Sequence, residues 1–409
     1  MKKIILSFSL VLLLLMGSLA ITNAMEDVVD RGENSYSKES TDSYDIQWMK
    51  EYGSSPWSDA RYQGPQPIGD SDNDGDNELL ISGRDAALRV MEWDETKQTY
   101  VETHTLRPPL YPFINCDAGG MAIGDVTNDG TNEIAATWYT TIYHYGTSGY
   151  RIIGLNPFIF FNNGGSADCL IGDCTNDGEN ELIVSGGILG RRDGVVGEIT
   201  VFKWNGLFLE RIAEYNDPQT NGYVYMPGLG DVDDDGENEI VCAYAGKVVV
   251  LEWDAASKEF IPNEVIRPAP IDDYPFGIVC KDCDNDGIDE ILLSYYNPRV
   301  SIFKYDGTDY KVQFDITWPD GEPVIEGIDV GDTDDDGHNE VAAGAGETHI
   351  LQWDGSTYVE EAVLPTFGWM AVVCIGDCDN DGKNEINAGN VEVESGQQYT
   401  EWVFKYSGE

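Results

Sequence analysis

Asp282-Cys283-Asp284-Asn285-Asp286-Gly287-Ile288-Asp289-Glu290 lies between two short apolar runs, Gly277-Ile278-Val279-Cys280 and Ile291-Leu292-Leu293. Six other segments repeat its pattern. They are DSDNDGDNE from Asp70, DVTNDGTNE from Asp125, DCTNDGENE from Asp173, DVDDDGENE from Asp231, DTDDDGHNE from Asp332 and DCDNDGKNE from Asp377. Their starts are separated by 55, 48, 58, 51, 50 and 45 residues. Downstream of each loop comes an aromatic followed by a turn: Trp93-Asp94, Tyr145-Gly146, Trp204-Asn205, Trp253-Asp254, Tyr305-Asp306, Trp353-Asp354 and Tyr406-Ser407. Two elements in seven matched copies mark a repeat architecture.

Around each aromatic, short runs alternate apolar and polar side chains, as in Val300-Ser301-Ile302-Phe303-Lys304 and Tyr310-Lys311-Val312-Gln313-Phe314. Such runs, separated by Gly and Asp turns, read as antiparallel strands. The fifth unit yields four strands, over about 276–281, 290–296, 299–305 and 310–316, with the acidic loop joining the first two. The chain is therefore expected to be all-β, a seven-bladed β-propeller of four-stranded antiparallel blades, with a solenoid as the competing arrangement. The ends favour the ring. The seventh unit stops after Trp402-Val403-Phe404-Lys405-Tyr406 and lacks a fourth strand, while a surplus strand-like piece, Ile46–Tyr52, precedes the first loop. Placing that piece in the last blade closes the ring and hides the sheet edges.

Within each loop, positions 1, 3 and 5 carry oxygen side chains, position 6 is Gly and position 9 is Glu. Alternate oxygens on a tightly curled backbone, with Gly at the sharp turn, suit a hard cation. Position 7 varies (Asp76, Thr131, Glu179, Glu237, Ile288, His338, Lys383), as it can if only its carbonyl is a ligand. An EF-hand would need a bidentate Glu at position 12. Here that position is Ile81, Ala136, Val184, Cys242, Leu293, Ala343 and Ala388, expected to face the blade interior. Without an ion, carboxylates about 4 Å apart would repel by roughly 1 to 4 kcal/mol per pair. An all-oxygen, flexible cage favours Ca²⁺ over Mg²⁺, with up to seven ions expected.

The D-x-[DT]-x-D-G-x-x-E loop between the first two strands of a four-stranded blade resembles the FG-GAP/VCBS repeat, familiar from the propeller of integrin alpha subunits. The resemblance covers about 46–409. It implies that Asp70, Asp72, Asp74, the Asp76 carbonyl and Glu78 hold calcium in the first copy. The matching residues are Asp125, Thr127, Asp129, Thr131 and Glu133 in the second, and Asp173, Thr175, Asp177, Glu179 and Glu181 in the third. They are Asp231, Asp233, Asp235, Glu237 and Glu239 in the fourth, and Asp282, Asp284, Asp286, Ile288 and Glu290 in the fifth. The last two copies offer Asp332, Asp334, Asp336, His338 and Glu340, then Asp377, Asp379, Asp381, Lys383 and Glu385. Loops 2 and 3 are expected to bind more weakly, because Thr127 and Thr175 replace Asp. The sequence departs from the integrin type in its closing Glu, usually Asp there, and in largely lacking the Phe-Gly and Gly-Ala-Pro segments.

The net charge of −50 disfavours nucleic acid as a partner. Of the 74 acidic residues, 32 lie inside the loops, and one divalent ion in each would leave −36. Lys2-Lys3, the apolar run Ile4–Met16 and the small residues near Ala20 and Ala24 read as a secretory signal over 1–24. The apolar run is too short to span a bilayer, so no membrane span is expected in the mature chain. Residues 25–45 read as a disordered polar lead-in, and the protein is expected to be secreted or at the cell surface.

The eight cysteines read first as small buried residues, with disulfides or a thiolate site as alternatives. The four histidines form no catalytic arrangement, and no glycosidase pair can be singled out among the acids. Loops on the face opposite the acidic ones are rich in aromatics: Tyr111-Pro112-Phe113, Phe158–Asn163, Tyr223–Met226, Tyr274-Pro275-Phe276 and Phe367-Gly368-Trp369. Insertions at Gly187–Gly197, with Arg191 and Arg192, and at Asn390–Thr400 lie there too. Blade-to-blade packing accounts for such aromatics equally well, but they also suit protein or glycan contacts. The expected function is a non-enzymatic, adhesion-type protein- or glycan-binding module, the alternative a calcium-dependent lyase-like enzyme.

Overall fold

The computed structural model describes residues 43–54, 68–83, 85–112, 119–137, 140–155, 166–189, 195–216, 224–244, 246–266, 275–318 and 324–408. The expected signal segment and most of the lead-in lie outside these residues, as do Phe158–Asn163, Arg191, Arg192, Tyr223 and Tyr274.

Among the described residues, twenty-eight strands form seven four-stranded antiparallel sheets, each the blade expected from one repeat. The surplus N-terminal strand is β1 (Tyr44–Glu51). Blade 1 holds β2 (Ile68–Gly69), β3 (Glu78–Gly83), β4 (Ala87–Asp94) and β5 (Thr99–Leu106). Blade 2 holds β6 (Met121–Gly124), β7 (Glu133–Ala136), β8 (Thr141–Gly146) and β9 (Gly149–Leu155). Blade 3 holds β10 (Ser166–Gly172), β11 (Glu181–Leu189), β12 (Val195–Trp204) and β13 (Leu209–Asn216). Blade 4 holds β14 (Pro227–Gly230), β15 (Glu239–Tyr244), β16 (Lys247–Asp254) and β17 (Glu259–Ile266). Blade 5 holds β18 (Pro275–Lys281), β19 (Glu290–Tyr295), β20 (Arg299–Tyr305) and β21 (Tyr310–Thr317), within a residue of expectation. Blade 6 holds β22 (Ile328–Gly331), β23 (Glu340–Ala345), β24 (Glu347–Trp353) and β25 (Tyr358–Leu364). Blade 7 holds β26 (Trp369–Gly376), β27 (Glu385–Glu392) and β28 (Thr400–Tyr406), with β1 as its outer strand.

The ring closes as expected, though β1 begins at Tyr44 rather than Ile46 and pairs Tyr44 with Tyr406. Second strands such as β19 and β23 are buried along their whole length, because blades cover both faces. Fourth strands such as β21 and β17 put polar residues outward on a rim that meets solvent.

The core is therefore a set of inter-blade layers. Val241, Val248 and Val250 of blade 4 meet Ile278, Ile291 and Leu293 of blade 5. Leu79, Ile81 and Met91 of blade 1 meet Cys378 and Val403 of blade 7, which seals the junction. All seven position-12 residues are buried, since both faces of the second strands are covered.

Where first strands crowd toward the axis, glycine is obligatory. A Cβ on Gly327 would sit 2.6 Å from the backbone C of Val372 and N of Val373.

In every blade the outermost strand carries one extra residue. The register slips past Thr103, Ile153, Ile212, Asn263, Gln313, Glu361 and Gln47. Each slip is a β-bulge that re-aims a side chain.

Candidate metal centres

All seven loops share one hydrogen-bonded frame. The first Asp accepts from the backbone N–H groups of positions 5 and 6: Asp70 Oδ1 takes Asp74 N at 3.1 Å and Oδ2 takes Gly75 N at 3.1 Å. Asp125, Asp173, Asp231, Asp282, Asp332 and Asp377 do the same. The position-5 Asp accepts from the N–H of position 7 in each copy, as Asp286 does from Ile288 at 3.2 Å.

The curl needs left-handed backbone twice. Position 6 is Gly with φ between 86° and 99°. Position 4 has φ between 56° and 65° and is always Asn or Asp, the side chains that tolerate it best.

The closing Glu belongs to the second strand and is almost fully buried in every loop. One of its oxygens ties down the loop start. Glu78 Oε2 accepts from Ser71 N at 2.7 Å and Ser71 Oγ at 2.6 Å, and Glu340 Oε2 accepts from Thr333 N and Oγ1 at 2.8 Å. In loops 1, 4 and 5 the closing carboxylate also lies beside the Asp side chains.

Carboxylate oxygens of Asp70, Asp72 and Glu78 therefore converge within 4.8 Å, as do those of Asp231, Asp233 and Glu239, of Asp282, Asp284 and Glu290, and of Asp332, Asp334 and Asp336. Burial pushes the carboxyls of Glu78, Glu290, Glu340 and Glu385 up to about 7 and that of Glu239 up to about 8. Neighbouring Asp charges push the same way. Buried Asp233 Oδ1, Asp284 Oδ1, Glu340 Oε1 and Glu361 Oε2 have no hydrogen-bond partner. An orphaned acceptor buried among like charges is costly unless a cation joins it.

The loops are not the whole site, and sequence reasoning missed the rest. The residue before each third-strand aromatic stands across from the closing Glu: Glu133 pairs with His144, Glu340 with Gln352 and Glu385 with Lys405. His144 Nδ1 lies 3.0 Å from Glu133 Oε1. Lys203 Nζ reaches Asp177 at 2.6 Å, Glu181 at 3.0 Å and Glu179 at 3.1 Å. Lys304 Nζ reaches Asp284 at 2.7 Å, Asp286 at 2.8 Å and Glu290 at 2.7 Å. Lys405 binds Asp379, with Asp381 and Glu385 at 2.9 Å.

In loop 4 the same position is Glu252, whose carboxylate converges with Asp233 and Asp235. The outer-strand bulges complete the sites: Gln47 donates to Asp379, Gln313 to Asp284 and Asn263 to Glu252.

Two inter-blade devices tie the loops together. Asn at position 8 donates its backbone N–H to the position-4 Asn of the preceding loop and its side-chain amide to that loop's first carbonyl. Asn132 N–Asn73 Oδ1 is 2.6 Å and Asn132 Nδ2–Asp70 O is 2.8 Å. Loops 2–3, 3–4 and 5–6 repeat this, and Asn77 N–Asn380 Oδ1 at 2.6 Å carries it across the closure from loop 7 to loop 1.

An aromatic near the start of each outer strand, or Leu209 in blade 3, also wedges under the preceding blade's loop. Tyr150 OH meets Ser71 Oγ at 2.6 Å, Tyr44 OH meets Thr333 Oγ1 at 2.8 Å and Tyr100 OH meets Cys378 Sγ at 2.9 Å. Where position 2 is apolar, the contact is packing, as between Val126 and Leu209.

Among solved structures, two of BBS1N in complex with ARL6DN are similar to this chain. The crystal soaked with mercury aligns at TM-score 0.58 and 13% identity, over 88% of this chain and 96% of that one. The crystal soaked with lead aligns at TM-score 0.54 and 14% identity over the same shares. At this identity the likeness shows the fold, a seven-bladed propeller. No protein-family profile matches the sequence, and no curated protein matches it.

Away from the loops, Tyr225, Phe276, Tyr296 and Trp369 gather at the strand ends opposite the acidic ones. Tyr225 stacks on Phe276 at 4.2 Å between centroids, with Tyr296 and Trp369 at 5.0 and 6.2 Å from Phe276. Cys169, Cys174, Cys242, Cys280, Cys283, Cys374 and Cys378 are buried, as the packing role expected first requires, and Cys116 lies outside the described residues.

The histidines stay apart: His349 stacks on Trp318 and bonds Glu360, His104 meets Tyr145 and Tyr150, and His338 bonds Asp336. Among the described residues, no helix is long and apolar enough to cross a membrane.

Proposed function

We propose that this chain is a calcium-binding propeller of the FG-GAP/VCBS kind, exported and acting as a non-enzymatic protein- or glycan-binding module. The observation that carries the calcium reading is Glu340 Oε1, a buried acceptor left without a partner in a loop whose Asp oxygens already converge. The frame holds those oxygens in place before any ion arrives. Its irregular, all-oxygen donor set suits calcium rather than magnesium, which demands a strict octahedron and keeps its waters. Calcium would stiffen one face of the disc.

The opposite face is the reading's place for a ligand, supported by the aromatic group around Phe276. Export rests on the Lys2-Lys3 start and the Ile4–Met16 apolar run.

The test is a thermal melt of chelator-stripped and calcium-loaded protein, with bound metal counted by elemental analysis. The reading expects bound calcium and a higher melting temperature in the loaded form. An unchanged melting temperature with no bound alkaline-earth metal would sink it. A glycan array, a partner capture and a polysaccharide depolymerisation assay address the ligand, and turnover of any polymer would displace the non-enzymatic reading.

A further inference from the structure

The register places the residue before each third-strand aromatic against the closing Glu of its own loop, and that residue sorts the loops into classes. We propose that Lys203, Lys304 and Lys405 are built-in cations occupying loops 3, 5 and 7, so that calcium is confined to loops 1, 4 and 6, with loop 2 the one further candidate. This rests on the calcium reading and refines it.

Each ammonium contacts the closing Glu and two further carboxylates of its loop at hydrogen-bond distance, at the point where the loop oxygens converge. The place a metal would take is filled by a charge tethered to the same sheet. Neighbouring donors reinforce this: in loops 5 and 7 the amides of Gln313 and Gln47 point at the position-3 Asp that also holds the lysine.

Loops 1, 4 and 6 show the opposite chemistry. Glu252 stands where the lysines stand and converges with Asp233 and Asp235, a fifth carboxylate beside those at positions 1, 3, 5 and 9, and Glu92 holds the same position in loop 1. In loop 6 that position is Gln352, and the fifth carboxylate arrives instead from the outer strand as Glu361, whose Oε2 is an unpartnered buried oxygen. Asp233 Oδ1 and Glu340 Oε1 are orphaned in loops 4 and 6, with no lysine in reach among the described residues; Asp284 Oδ1 of loop 5 is orphaned too, but there Lys304 already holds the other oxygen of the same carboxylate. A tethered monovalent ammonium balances in part the three carboxylates at positions 1, 3, 5 and 9 of loop 3 and the four of loops 5 and 7, whereas a fifth carboxylate at the site calls for a divalent ion. Loop 2 stands between the classes, with three carboxylates, Thr127 and His144.

Equilibrium dialysis of the full chain against calcium chloride, with bound metal counted by elemental analysis, tests the partition. The expected count is three or four ions per chain. Lys304→Glu should add one ion and Glu252→Lys should remove one. Lys405→Glu should also add one, and it decides the matter if Lys304→Glu does not fold.

One or two ions, five or more, or an unchanged count in folded variants would overturn the partition while leaving calcium binding intact. No bound calcium at all would instead overturn the calcium reading itself.

Discussion

Asn380 sits where the two ends of the chain meet, and its removal should weaken the ring by an amount the geometry sets. Its Oδ1 accepts Asn77 N at 2.6 Å and its Nδ2 donates to Asn77 O at 3.1 Å. Its backbone is left-handed, at φ 63°. Asn380→Ala deletes two hydrogen bonds worth about 1 kcal/mol each. It also forces a β-carbon without Asn's local bonding into the left-handed region, at about 1 kcal/mol more. The loss is then about 3 kcal/mol. Asn380→Gly keeps the backbone comfortable and should lose about 2 kcal/mol. Asn380→Asp keeps the acceptor and loses only the amide donor, at about 1 kcal/mol.

Unfolding entropy near 2.1 cal/mol/K per residue over roughly 360 residues gives ~0.8 kcal/mol/K. The Ala variant should therefore melt ~4 °C lower if the ring unfolds as one unit. Calorimetry in saturating calcium should rank the four proteins wild type, Asp, Gly, Ala in falling stability. Gly and Ala variants that both melt with wild type would refute the idea that the asparagine chain clamps the closure.

Other perturbations probe separate parts of the account. Gly327→Ala drives a methyl into the Val372–Val373 backbone, which cannot move aside, so at least about 2–3 kcal/mol should be lost in denaturant unfolding. Deleting β1, Tyr44–Glu51, unpairs β28 and exposes an edge, and size-exclusion chromatography should show aggregates instead of a monodisperse ring.

Asp168 is fully buried, with Oδ2 unpartnered, and burial holds its carboxyl well above the usual carboxylate range. The folded state then keeps a proton that the unfolded state releases, so wild-type stability falls as pH rises from about 4. Asp168→Asn removes that loss. Its melting temperature should exceed wild type at pH 8, with a smaller gap at pH 4, and a gap independent of pH would contradict this.

Much of the fold was legible because the acidic loop and the aromatic turn recur together. Their spacing placed all four strands of blade 5, and the unpaired C-terminal unit called for the N-terminal strand. The start of β1 at Tyr44 was not legible, because what holds it is the Tyr44 hydroxyl on Thr333, 289 residues away. The same limit hid the rest of the sites. Lys304 and Glu252 stand in plain view before their aromatics, but only the strand register of the matching positions, Lys405, His144 and Gln352, and the Lys304–Glu290 contact show that this position faces the closing Glu.

Asn at position 8 of six loops, with Asn or Asp at position 4 of all seven, was a readable signal for inter-loop bonding. The bulges that aim Gln47 and Gln313 inward leave no local pattern, since twist and packing create them rather than any single residue.

The most direct measurement is a crystal of the calcium-loaded protein with anomalous difference density measured at a wavelength where calcium scatters. Confinement of calcium by the built-in lysines requires peaks among the carboxylates of loops 1, 4 and 6, with the Lys203, Lys304 and Lys405 ammonium groups standing in loops 3, 5 and 7. Fully calcium-soaked crystals without a peak in any loop would contradict it.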